Sequence, residues 1–69
     1  MKIAELIYQY EKEILSHNCN IEYLERRLAN LPDDHSEEIH AGLMQGIRNN
    51  RHSISIFTEV INDLKKVTQ

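Results

Sequence analysis

Nine positions between residues 3 and 31, taken in alternating steps of four and three, read Ile3, Ile7, Tyr10, Ile14, His17, Ile21, Leu24, Leu28 and Leu31. Eight of the nine are apolar or aromatic, and the spacing never slips. A repeat of this kind lays one narrow seam along one side of a helix. A second seam follows in the same steps: Leu43, Ile47, Asn50, Ile54, Phe57, Ile61 and Leu64. Between them stands Pro32, which disfavours helical geometry at Leu31 and has no N–H to donate. The chain therefore reads as a single all-α domain over residues 1–69, with helix 1 at about 2–31, a turn at about 32–35 and helix 2 at about 36–67.

The two seams can be tested against each other. In an antiparallel hairpin, facing residues have a nearly constant sum of residue numbers. Leu24 with Leu43, His17 with Asn50, Tyr10 with Phe57 and Ile3 with Leu64 give 67; Ile21 with Ile47, Ile14 with Ile54 and Ile7 with Ile61 give 68. One register closes every layer around a short turn. It also places the single polar residue of each seam opposite the other, His17 against Asn50. A buried polar pair adds little net stability but penalises slipped alignments, which would leave a polar group unpaired.

Two features of helix 2 run against the helical pattern. Gly42 and Gly46 each cost up to about 1 kcal/mol relative to Ala in a helix. Ser53-Ile54-Ser55-Ile56-Phe57 alternates as a strand does. A lone strand would have nothing to pair with, so the reading is helix, with a break or kink expected, if anywhere, near 46–53. In helix 1, the short polar run 16–20 is the weak point. At the turn, Asp34 and Glu37 have capping-box spacing, and Asp33 and Ser36 compete as caps.

A chain of 69 residues buries only roughly 60% of its unfolded surface, so small domains of this size commonly rely on disulfides, metals or oligomerisation. The one cysteine, Cys19, excludes an internal disulfide and fits a reducing compartment. Charge appears within the first five residues and no long apolar run follows, so neither a signal peptide nor a membrane helix is expected, and the expected location is cytoplasmic. Oligomerisation remains. Helix 2 carries a further apolar row, Ile39, Gly46, Ser53, Ile56, Val60 and Val67, and helix 1 adds Leu6, Tyr8 and Leu15. An isolated hairpin would leave these exposed, and such patches mark interfaces. The expectation is an antiparallel, coiled-coil-like hairpin dimerising into a four-helix bundle, with Ile39, Gly46, Ile56, Val60 and Val67 as candidate interface.

Motifs of chemistry are missing. There is no phosphate-binding glycine loop, CxxC, HExxH or EF-hand loop. Glu37 and His40 have the spacing found in di-iron bundles, but the facing stretch near Leu28 supplies no further carboxylate. Cys19 and His17 fall on different helical faces, a poor geometry for a nucleophilic pair. No enzyme, no cofactor, no metal and no small-molecule substrate is expected. Net charge is −3. It concentrates in an acidic tip, Asp33, Asp34, Glu37 and Glu38, while residues 40–69 are mildly basic.

These features describe a small non-catalytic regulatory module that binds another macromolecule, in the first place a protein, through the tip or the apolar row. Bacterial phosphorelay regulators and phage accessory proteins include hairpins of this build. In shape, a hairpin dimerising into a bundle also resembles the plasmid copy-number Rop type, which binds paired RNA loops. The resemblance is architectural, with no shared sequence motif. It implies an alternative, nucleic-acid binding through Arg26, Arg27, Arg48 and Arg51. A third reading is a structural subunit that docks its apolar row into a larger assembly.

Overall fold

The computed structural model describes residues 2–67. Two helices, α1 (Ile3–Ala29) and α2 (Glu37–Val67), pack against each other as an antiparallel hairpin measuring 54 × 15 × 14 Å. Every seam position of both helices is buried or half-buried, and the most buried are Ile21, Leu43, Ile47 and Ile61. Three of these four lie in the half of the hairpin nearer the turn.

The expected register is the observed one. His17 Nδ1–H donates to Asn50 Oδ1 at 2.7 Å. Two layers further from the turn, beyond Ile14 and Ile54, the Tyr10 and Phe57 rings meet with centroids 5.5 Å apart. Phe57 also reaches the His17 ring at 5.7 Å, so three rings form a ladder through the middle of the hairpin.

Both doubtful stretches are helical. α1 runs unbroken through 16–20, and α2 runs unbroken through 46–53 and the alternating segment after it. The helix reading holds, and the break allowed for near 46–53 is not there. Ile54 and Phe57 belong to the seam, and their burial against α1 outweighs a weak local preference for strand.

The turn refines the sequence reading. α1 stops at Ala29, two residues earlier than expected, with Asn30 as its C-cap. The Asn30 N–H donates to the carbonyls of Arg26 and Arg27, and the Leu31 N–H to that of Leu28, so the last turn tightens before Pro32. Leu31 still turns inward, half-buried. His35 then clasps the turn: its backbone N–H and its ring Nδ1–H both donate to the Pro32 carbonyl, at 3.1 and 2.6 Å. Ser36 wins the competition among caps. Its Oγ accepts the Ile39 N–H at 3.2 Å, and its carbonyl accepts the His40 N–H. Glu37 and Glu38 occupy the first turn of α2, beside the positive end of the helix dipole.

Candidate interaction surfaces

The hairpin has two long flanks, and three contacts and a groove tell them apart. On the first, Arg51 and Glu25 approach to 3.9 Å. Further from the turn on the same flank lies an open groove of about 350 Å³, floored by Ile14 and Ile61 and edged by Leu15, Asn18, Thr58 and Asn62. On the second, the Leu24 side chain lies over Gly46, and Asn20 Nδ2 donates to Asn50 Oδ1 at 3.3 Å.

The apolar row of α2 lies on this second flank. Ile39, Gly46, Ser53, Val60 and Val67 recur every seven residues, with Gly42 and Ile56 beside them. The row is not uniform. Gly46 and Val60 are half-buried within the hairpin, whereas Ile39 is 47% exposed, Ile56 45% and Val67 70%. Gly42 has open space where a Cβ would stand; at Gly46 a Cβ would meet Leu24 Cδ1 at 3.0 Å. Gly46 thus serves α1 of its own chain. From α1, Leu6 and Tyr23 join this flank. Tyr8 and Leu15, 63% and 65% exposed, stand on the groove flank instead, with Lys12 Nζ 5.4 Å over the Tyr8 ring.

The His17–Asn50 layer has a third member that the seam pattern does not show. Asn50 Oδ1 accepts from both His17 and Asn20, while Asn50 Nδ2 donates to the Gly46 carbonyl at 2.7 Å. Asn20 sits three residues after His17, one helical turn along, and that spacing is the signal by which it was findable.

Comparison with protein-family models, characterised proteins and solved structures finds no match. Function therefore rests on the surfaces. Asp33, Asp34, Glu37 and Glu38 are all exposed at the tip. Nearby, the His35 and His40 rings stack at 5.5 Å. The four arginines do not share one patch. Arg48 and Arg51 lie on the groove flank, where Arg48 donates to Gln45 Oε1 at 2.9 Å. Arg27 lies on the other flank, 5.9 Å over the Tyr23 ring. Arg26 is exposed in the last turn of α1. Cys19 is exposed, and His17 Nδ1 is turned away from it toward Asn50. Among the described residues, no cluster of three or more His, Cys, Asp or Glu side chains is placed to hold a metal ion. Among the described residues, no helix is long and apolar enough to cross a membrane.

Proposed function

We propose that this chain is a small non-catalytic interaction module that works as a pair of hairpins in a four-helix bundle and binds another protein to regulate it. One observation carries this reading. No described side chain is less than 2% exposed, yet six large apolar side chains stand 45–70% exposed. A monomeric protein has little reason to present so much apolar surface around so thin a core. The bundle draws on the α2 row, and the partner protein on the acidic tip and whatever apolar surface the bundle leaves open, the groove flank above all.

A photo-crosslinking amino acid placed at Asp34 or Leu15 tests the partner. Covalent capture of one recurring host protein from both positions is expected. Capture of nothing but the chain itself from either position would defeat the protein-binding reading. The Rop-like alternative needs phosphate contacts gathered together, whereas Arg27 lies across the hairpin from Arg48 and Arg51. Absence of a gel shift with structured RNA at low salt is the expected result.

A further inference from the structure

We propose that the second copy seats antiparallel on the α2 row, α2 against α2, with the twofold axis passing at Ser53. This rests on the reading of the hairpin as half of a bundle. The first argument is area. The chain exposes 5380 Å², whereas a compact monomer of 8.1 kDa exposes about 4500 Å². The excess, roughly 900 Å², is close to one side of a standard interface, about 800 Å² per partner. The hairpin has surface to lose to one more neighbour along one flank.

The second argument is which flank and which direction. A twofold interface must be complementary to itself. Ser53 is the midpoint of the row Ile39, Gly46, Ser53, Val60 and Val67. An antiparallel pairing about Ser53 sets Gly46 against Val60 of the second copy and Ile39 against Val67 of the second copy. The crossing itself is small, Ser53 against Ser53 of the second copy, and the half-buried Gly46 and Val60 on either side of it leave the exposed apolar contact to the two ends of the row. The side chains left most exposed in the row, Ile39 and Val67, are the ones that cover each other.

The third argument is charge. Glu38 lies in the first turn of α2 and Lys66 in the last. The antiparallel pairing brings Glu38 beside Lys66 of the second copy, at both ends of the interface. It also opposes the two helix dipoles. A parallel pairing would instead bring the acidic tips together, which like-charge repulsion disfavours. The groove flank offers no such arrangement: its exposed large apolar side chains, Tyr8 and Leu15, are both on α1 and lie in one half of the hairpin.

Single-cysteine variants in a Cys19→Ser background decide the matter, with circular dichroism on each to confirm the helices. Ser53→Cys is expected to form a disulfide-linked dimer under mild oxidation. Ile39→Cys alone should not, because antiparallel copies hold these two positions about 42 Å apart, 28 residues at the rise of a helix. A mixture of Ile39→Cys and Val67→Cys chains should yield the mixed disulfide. By sedimentation equilibrium, Ile56→Glu is expected to weaken the wild-type dimer by about 100-fold or more, since it places a charge in an apolar contact. Leu15→Glu should leave it within about threefold, as a residue outside the contact does. Cross-linking through Ile39→Cys alone would overturn the antiparallel arrangement, and cross-linking through Leu15→Cys would move the second copy to the groove flank; both leave the bundle standing. A wild-type chain that stays a helical monomer up to millimolar concentration would remove the second copy altogether and leave only the partner-binding reading.

Discussion

Asn50 is the residue on which most local interactions converge. It accepts from His17 and Asn20 and donates to the Gly46 carbonyl, so its amide is satisfied on both sides. His17 has one such contact. The two members of the layer are therefore unequal, and the expected effects differ. Asn50→Leu leaves the half-buried His17 N–H without its acceptor and should destabilise the hairpin by about 1–3 kcal/mol. His17→Leu leaves Asn50 with two partners and should cost less. Changing both to Leu should raise the melting temperature above wild type while permitting other alignments or oligomers, because the penalty on slipped registers is gone. Urea titrations of the three variants read the first two effects, and sedimentation of the double variant reads the third. The glycines separate in the same way. Gly42→Ala meets open space and should stabilise by up to about 1 kcal/mol. Gly46→Ala has the same helical gain but must displace Leu24 Cδ1, 3.0 Å from the new Cβ, so its urea midpoint should fall short of that of Gly42→Ala.

At the scale of the element, the turn is where the sequence was least legible. The seams were readable because a heptad is a long, redundant signal, and every layer checks every other. A cap is a single residue. Asp33, Asp34 and Ser36 carry nearly the same information, and the choice depends on where Pro32 and the His35 clasp let the chain re-enter a helix. Ser36→Ala should cost about 1 kcal/mol by thermal or chemical denaturation, and Asp34→Ala much less. The unbroken course of α2 through Gly46 and Ser53-Ile54-Ser55-Ile56 has the opposite lesson. Local propensity there argued for a break, and the contacts of Ile54 and Phe57 with α1 decided the matter. Gly46 shows why. Its lack of a side chain, unfavourable for an isolated helix, makes room for Leu24, a reason that only the packed hairpin supplies.

For the whole molecule, hairpin geometry was legible in the sequence and the division of its surface was not. Register follows from numbers along the chain, but the groove beside Leu15 and the scattering of the four arginines depend on how side chains fill space between helices. Charge contributes little to holding this body together. Arg51 and Glu25 are separated by 3.9 Å with more than half of each side chain exposed, so Arg51→Ala should change stability by less than about 1 kcal/mol, measured by urea titration. The short turn has a further consequence, for kinetics. Since facing residues keep a constant sum, the loop that each layer closes lengthens steadily away from Pro32. Joining Ile3 to Leu64 first encloses about three times the chain that joining Leu24 to Leu43 does, which costs roughly 1 kcal/mol more in loop entropy. The better-buried layers also lie on the turn side. The hairpin should therefore close as a zipper from the turn and fray from its open end, with amide hydrogen exchange fastest in the Ile3–Leu64 layer among the seam layers. A molecule that slips between the two helices would enter there, at the end furthest from the acidic tip.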